Sequence, residues 1–457
     1  MIQLFINRTE EIKILEERFK SGNPEFLILY GRRRVGKTEL AARFIRNKPG
    51  VYFLAEEKKY KDNLNDMKET SAEHLKDEEF KMLNFENWPQ LFKSFLGRVK
   101  ERTVVIIDEF PYLVKDNKAV PSEFQKIWDM YLSKSDKIML VLIGSSISMM
   151  EKLLGRKSPL FGRRTAQLEI KPLNIFQAKE FLPDYSMEDC IRIYGCADGI
   201  PLYLKQFDEK TPVFENIKNA FFRRDALLYS EAEMLLKQEF REPANYFAIL
   251  KAISFGNTRQ NEIVNYTGID KSIISKYMQN LEKIRAIKKD YPVTDRKEKR
   301  KNAAYCLSDN YFNFWFRFVY PNKTLIENAP EDAFEIMKKN YDMYLGHVFE
   351  KVAEQFLQNA GKFKFTKIGR WWHKDREIDL VAINEDAREI FFLEVKWQSL
   401  DKNKSEKIIS LLKEKAQSVD WNKNARKENF GIIAKEIKGK EGLRNAGYVV
   451  FDIEDFP

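Results

Sequence analysis

At roughly 150 residues per domain, the 457 residues predict about three domains, each with enough chain for a buried core. The 79 Lys and Arg against 69 Asp and Glu leave a net charge of +10, which excludes a histone-like polycation. Hydrophobic residues at 44%, aromatics at 13% and only 19 Gly with 15 Pro exclude a disordered or fibrous chain.

In chain order, the first 170 residues alternate short apolar runs with amphipathic stretches: FLILY (26–30), VYFLA (51–55), TVVIID (103–108) and IMLVLIG (138–144). Runs without alternation, separated by helix-length segments, predict buried parallel strands in a layered α/β sheet. From 173 to about 235 the pattern is helical, as in IFQAKEFL and NAFFRRDALLYSEAEMLL, and predicts a lid. Then NYFAILKAI, TRQNEIVNYTGI, DKSIISKYMQNLEKIRAI and a charged hairpin ending in AAYCLSD follow the winged-helix order of three helices and a wing. Pro321 and Pro330 mark a linker. Beyond it a helix, DMYLGHVFEKVAEQFLQ, leads to strands KFTKIG, EIDLVAIN, EIFFLEVKW, NFGIIAK and YVVFDI, with a helix at about 402–418.

Cys190, Cys196 and Cys306 cannot build a disulfide framework, and the scattered His74, His347 and His373 give no zinc-ligand spacing, so a reduced, cytoplasmic setting is expected. No apolar run approaches the roughly 20 residues of a membrane span, and Arg8, Glu10 and Glu11 precede any signal-like core. No membrane partner is expected.

Gly31-Arg32-Arg33-Arg34-Val35-Gly36-Lys37-Thr38 matches GxxxxGK[ST] directly after an apolar run and directly before a helix-forming one. Glycines let successive N–H groups turn toward phosphate oxygens, and the following helix offers its positive end. Lys37 is then placed to neutralise β- and γ-phosphate charge and Thr38 to ligate Mg²⁺. About 70 residues later VVII runs into Asp108-Glu109, a Walker B pattern in which one carboxylate holds the magnesium shell and the next polarises water.

These segments, with FINRTEEIKIL, LVLIGSS, SPLFGRR and ADGIPLYL, resemble the archaeal-type ATPases of the STAND group of P-loop NTPases, relatives of the AAA+ and origin-recognition ATPases. The resemblance spans about residues 1–235. It implies that Arg8 and Glu11 pack near the adenine, that Ser145 or Ser146 senses the γ-phosphate, and that Gly199-Ile200-Pro201 lays Pro201 against the nucleotide from the lid. It also implies that Arg163 or Arg164 reaches a phosphate. Each has a plainer alternative: a solvated charge, a helix cap, an ordinary turn, a surface pair.

In the middle module, Asp270 or Ser272 is expected to cap a recognition helix, with Ile273, Ile274, Tyr277 and Leu281 buried and Lys271, Ser275, Lys276 and Gln279 outward. From Lys283 to Lys301 stand nine Lys or Arg (Lys283, Arg285, Lys288, Lys289, Arg296, Lys297, Lys299, Arg300, Lys301) against Asp290, Asp295 and Glu298. Such a cluster attracts phosphate backbones by counterion release. A winged helix of a STAND-type protein also serves for protein docking, and both readings stay open.

At the carboxy end, REIDLVAI, a polar turn and IFFLEVK form a hairpin that brings Asp379 close to Glu394, which shares a face with Lys396. Convergent carboxylates beside a lysine suit a hydrated hard cation and phosphate chemistry. Asp, then roughly 15 residues, then Glu-x-Lys resembles the PD-(D/E)XK nuclease fold in its Holliday-junction-resolvase-like and restriction-type members, over about 340–457. That resemblance brings Glu350, on GHVFEKVAEQF, into the metal site with Asp379 and Glu394. No proline precedes Asp379, where Ile378 stands; Glu377 is a bystander or a supplementary ligand, and Trp371 and Trp372 are core or rim.

The combined expectation is an α/β chain: P-loop parallel-sheet ATPase core (1–172), helical lid (173–238), winged helix (239–320), linker (321–339) and restriction-endonuclease-like α/β domain (340–457). Its expected cofactors are ATP and Mg²⁺, and its activity is ATP hydrolysis controlling a nuclease-like domain that acts on nucleic acid, DNA more than RNA. A regulatory scaffold whose terminal modules bind DNA or protein without cutting is the alternative. A protein partner on the winged helix and self-association stay open.

Overall fold

The computed structural model describes residues 6–295 and 303–457. Phe5 of the opening segment, and Arg296, Lys297, Glu298, Lys299, Arg300 and Lys301 of the basic cluster, lie outside the described residues. The chain divides into two compact units, Met1–Pro172 and Leu173–Pro457.

The first unit is built on strands β1 (Glu25–Tyr30), β2 (Gly50–Leu54), β3 (Thr103–Asp108), β4 (Ile138–Gly144) and β5 (Ala166–Glu169) in the order β2-β3-β4-β1-β5, all parallel. Every residue of β1, β3 and β4 is buried, because helices cover both faces and alternate side chains enter different cores. Phe26, Ile28, Val105, Ile107, Leu140 and Leu142 join the helices Tyr60–Leu75, Trp88–Arg98 and Val120–Met130 on one face. Leu27, Leu29, Val104, Ile106, Val141 and Ile143 join Thr9–Lys20 and Lys37–Ile45 on the other. Each such aliphatic side chain contributes roughly 1.5–3 kcal/mol when fully buried. β5 was not among the expected strands: AQLE is short, half-exposed at the sheet edge and carries no apolar run.

The second unit begins with helices, among them Met187–Ala197, Val213–Phe221, Leu227–Glu239, Ala244–Ser254, Gln260–Thr267 and Lys271–Lys283. The antiparallel pair β6 (Ile287–Asp290) and β7 (Ala304–Leu307) follows. Asp270 caps Lys271–Lys283 by accepting from the Ser272 N–H at 2.7 Å. The expected stripe needs correction at Ile273, and Tyr277 is only half-buried. Ile274 and Leu281 are buried and Met278 joins them, but Ile273 is 46% exposed, because the helix turns that position to solvent beside Lys271 and Ser272.

The linker expected at 321–339 is also corrected. Residues Lys323–Asn328 and Pro330–Ala360 are helical, and Ile326, Ala333, Phe334 and Met337 are buried in a core that runs from Leu173 to Ile433. Pro330 sits at the first turn, where its missing N–H costs nothing and its fixed φ favours helix. The helix of 31 residues spans about 47 Å. It packs on a five-stranded mixed sheet of β8 (Lys367–His373), β9 (Arg376–Asn384), β10 (Glu389–Leu400), β11 (Lys427–Ile437) and β12 (Val449–Asp452). The order is β12-β11-β10-β9-β8: β8, β9 and β10 run antiparallel, and β10, β11 and β12 parallel. Helix Lys402–Ala416 makes the crossover from β10 to β11. The β6-β7 hairpin adjoins this sheet, with the Val293 N–H donating to the Arg370 carbonyl of edge strand β8 at 2.9 Å. Among the described residues no helix is long and apolar enough to cross a membrane.

Candidate functional site

The loop from Gly31 to Thr38 leaves β1 at its carboxyl end. A Cβ at Gly31 would stand 2.3 Å from the Ile170 carbonyl oxygen, so only glycine lets the chain turn there. Arg34 and Gly36 have φ of 72° and 92°, left-handed values that fold the loop back into helix Lys37–Ile45. Val35 is buried beneath it. Arg8 braces the loop from outside the sheet, donating to the carbonyls of Val35 (2.9 Å) and Lys171 (2.7 Å) while pairing with Glu11 at 3.0 Å. Arg32 and Arg33 are half-buried and Arg34 is exposed; the Arg33 guanidinium reaches the Tyr112 hydroxyl at 3.4 Å.

Lys37 is only 6% exposed, and its ammonium donates to the carbonyls of Gly31 (2.9 Å) and Arg32 (2.8 Å). Burial pulls its pKa down to about 8 against the attraction of Glu109 and Asp108. The Thr38 hydroxyl donates to Asp108 Oδ2 at 2.8 Å. The same oxygen accepts from the Tyr52 hydroxyl at 2.6 Å, and Asp108 Oδ1 accepts from the Glu109 N–H at 2.8 Å. Glu109 stands at φ 52°, which swings its carboxylate onto the Ser145 hydroxyl at 2.8 Å.

The structure thus brings Lys37, Thr38, Asp108, Glu109 and Ser145 together at the carboxyl ends of β1, β3 and β4. Of the two serines it is Ser145 that faces Glu109; Ser146 precedes helix Ile147–Leu154 and makes no side-chain cap. Arg163 is bound to Asp129 at 3.0 Å and donates to nearby carbonyls. Pro201 opens the short helix Pro201–Leu204 of the second unit. Before it, Gly199 is required because a Cβ would meet the Leu173 carbonyl oxygen at 1.8 Å. The buried Asp198 carboxylate accepts from Gly199 N–H (2.7 Å), Asn310 N–H (2.7 Å) and Lys351 (3.1 Å), tying that turn to the long helix.

These donors fit a nucleoside triphosphate with a divalent cation. A buried ammonium held by the Gly31 and Arg32 carbonyls, a helix start and a hydroxyl-carboxylate pair are complementary to phosphate oxygens and to a metal completed by them. Tyr52 was missed in the sequence because it lies 56 residues from Asp108 and meets it only through the β2-β3 pairing.

The second cluster lies on β9 and β10. The ladder pairs Leu393 with Leu380, and one step further Asp379 Oδ2 accepts the Val395 N–H at 2.8 Å. Lys396 donates to Asp379 (2.8 Å) and Glu394 (2.6 Å), and Lys415, from helix Lys402–Ala416, donates to the other oxygen of Glu394 at 2.7 Å. The Glu394 side chain is 4% exposed, those of Lys396 and Lys415 about a third. Burial and the neighbouring Asp379 charge push the Glu394 carboxyl up. Asp379 is also raised by burial, but Lys396 and the Val395 N–H outweigh this and hold it below its usual range. The two carboxylates keep Lys396 above its ordinary range despite burial.

The expected three-carboxylate metal set is corrected here. Glu350 faces Arg370 at 3.3 Å and His347 at 3.2 Å, and among the described residues no group of three or more His, Cys, Asp or Glu could hold a metal ion. Arg370, on β8, draws Glu350 and Glu377 to itself; Glu377 lies 3.4 Å away. Trp371 and Trp372 are buried at the sheet edge. Lys415 was not foreseen, since helix spacing alone does not tell which lysine turns inward.

Residues 5–207 match the model of an ATPase domain found predominantly in Archaea, and residues 315–408 that of archaeal and bacterial proteins of unknown function. The uncharacterized protein MJECL04 of Methanocaldococcus jannaschii is 42% identical over 462 residues, 99% of this chain and 100% of its own length. An uncharacterized ATP-binding protein of the same organism is 49% identical over 47 residues, 10% of this chain and 80% of its own. The Walker-type ATPase of Pyrococcus abyssi is similar in fold, with a TM-score of 0.50 and 22% identity over 68% of this chain and 96% of that one. The chain therefore belongs to the family of the M. jannaschii protein, and carries a Walker-type P-loop ATPase domain followed by a C-terminal domain of unknown function.

Proposed function

We propose that the first unit binds ATP with Mg²⁺ between the Gly31–Thr38 loop and the Asp108-Glu109 strand end, and that its hydrolysis controls a C-terminal domain acting on nucleic acid, DNA more than RNA. The observation that carries this reading is the 2.8 Å contact of Thr38 with Asp108, which puts a P-loop hydroxyl and a strand-end carboxylate within reach of one cation. Loop N–H groups and the start of helix Lys37–Ile45 bind phosphate oxygens, and Lys37 neutralises their charge. Mg²⁺, when bound, offsets the charge that builds between the β- and γ-phosphates. Glu109, released from Ser145, orients and polarises water; Ser145 reports which state Glu109 occupies. The ATP-binding name of the shorter M. jannaschii relative supports the choice of nucleotide. In the purified protein, Mg²⁺-dependent ATP hydrolysis is expected, and Lys37→Ala reduces it to background. Unchanged turnover in that variant would overturn the assignment.

The STAND- and AAA+-like reading extends to the second unit. Three helices and a hairpin over 244–307 support a winged helix, whose outward Lys271, Ser275, Lys276 and Gln279 suit phosphate and base contacts. Asp379, Glu394 and Lys396 on adjacent strands support a PD-(D/E)XK-like, metal-dependent nuclease. A second reading, a nucleic-acid- or protein-binding module that does not cut, is favoured by the pairing of Glu394 with two lysines and of Glu350 with Arg370. An assay on single-stranded, duplex and branched DNA with Mg²⁺ or Mn²⁺, with and without ATP, separates them. Cutting that Asp379→Ala abolishes supports the nuclease; salt-sensitive binding without cutting supports the module.

A further inference from the structure

Asp108 receives donors from three separate elements, and one of them belongs to no motif. β2 lies beside β3 with Tyr52 opposite Ile106 and Leu54 opposite Asp108. Tyr52 starts two residues short of the strand end, and its long side chain carries the hydroxyl forward to Asp108 Oδ2 at 2.6 Å. Its ring packs against the core that Leu27, Leu29, Val104 and Ile106 form, so the hydroxyl is delivered from a fixed base.

We infer that Tyr52 is a positioning residue of the ATPase site, holding the Asp108 carboxylate in the orientation that receives Mg²⁺ and so setting the metal affinity. The reason is what happens when a cation is admitted. The Thr38 hydroxyl would face the metal with an oxygen lone pair while its O–H still donates to Oδ2, so the anchor now at 2.8 Å would shift with the metal, whereas the Tyr52 hydroxyl is fixed by the sheet. Without Tyr52, the Glu109 N–H on Oδ1 would be the anchor on Asp108 that does not move with the metal, and the other oxygen would be free to follow the Thr38 side chain. With Tyr52 both oxygens stay fixed. A phenol supplies this without adding a charge of its own. Partners of metal-binding carboxylates behave in this way generally, and their loss costs about 10- to 100-fold in metal affinity.

The inference rests on the Mg²⁺-ATP reading of this site. Its test uses the full chain, a fluorescent non-hydrolysable ATP analogue and a Mg²⁺ series, with Tyr52→Phe, which keeps the packed ring. The half-saturating Mg²⁺ concentration is expected to rise about tenfold in the variant, while analogue affinity in EDTA and the melting temperature stay as in wild type. Half-saturating Mg²⁺ within about twofold of wild type would overturn the role of Tyr52 and leave the site assignment standing, as would an equal loss of affinity with and without Mg²⁺. A wild type indifferent to Mg²⁺ would overturn both.

Discussion

At the end of β3, the carboxylates of Asp108 and Glu109 are held by hydroxyls and a backbone N–H, and the nearby Lys37 ammonium by carbonyls. On β10, Glu394 takes two ammonium groups and Asp379 shares one of them. Both clusters combine a lysine with carboxylates at buried strand positions, yet they are balanced in opposite ways. In the first, neutral dipoles fix the geometry and leave the charges to be answered by something else; a depressed Lys37 is the signature of that debt to solvation. In the second, two carboxylates meet two lysines, and the charges are answered within the fold. Dipole-held charge is poised for an ionic ligand, whereas ion-paired charge must first be opened.

Removing one lysine from each cluster sharpens the contrast most. Lys396→Met strands Asp379 and Glu394 as buried acids with a single cation between them, and a broken buried pair costs about 3–5 kcal/mol; partial exposure of Lys396 puts the expectation at about 3 kcal/mol by urea unfolding at pH 7. Asp379 has a lowered folded pKa, so its favourable pairing exists above its unfolded pKa and is lost as pH falls through the folded one. The wild-type advantage over Lys396→Met is therefore expected to shrink in acid, below about pH 4. Lys37→Ala, by contrast, is expected to lose activity with under about 1 kcal/mol of stability, because the residue removed was itself penalised by burial. Equal destabilisation in the two variants would erase the distinction.

Much of the first site was legible in the sequence because its chemistry is local. Gly31 to Thr38 is one loop, Asp108-Glu109 one strand end, and β1, β3 and β4 are continuous apolar runs as burial on both faces demands. What escaped is what chain folding alone brings together. Tyr52 meets Asp108 across paired strands, and Lys415 meets Glu394 from a crossover helix. Arg370 arrives from β8 to take Glu350 out of the expected metal set. The linker failed for a different reason: Pro330 reads as a breaker locally but stands where a helix accepts it, and only the buried Ala333, Phe334 and Met337 reveal the helix. Ile273 shows the limit of periodicity, since an apolar residue beside a buried one was assigned inward and the helix turned it out.

The smaller effect concerns pH and tests the dipole-held half of the comparison directly. With Lys37 at about 8, the ammonium is largely protonated at pH 7 and largely neutral at pH 9. Phosphate oxygens favour the charged form, so the nucleotide-bound pKa lies higher and binding takes up a proton between the two values. Affinity for the non-hydrolysable analogue is therefore expected to fall about tenfold from pH 7 to pH 9, with proton uptake seen in calorimetry as a dependence on buffer ionisation enthalpy. In Lys37→Met binding is weaker at every pH and the profile is flat over this range. Were the wild-type profile equally flat, Lys37 would already carry its full charge in the free protein. Its carbonyl cradle would then be a settled ion site like the one around Glu394, and the two clusters would not differ in kind.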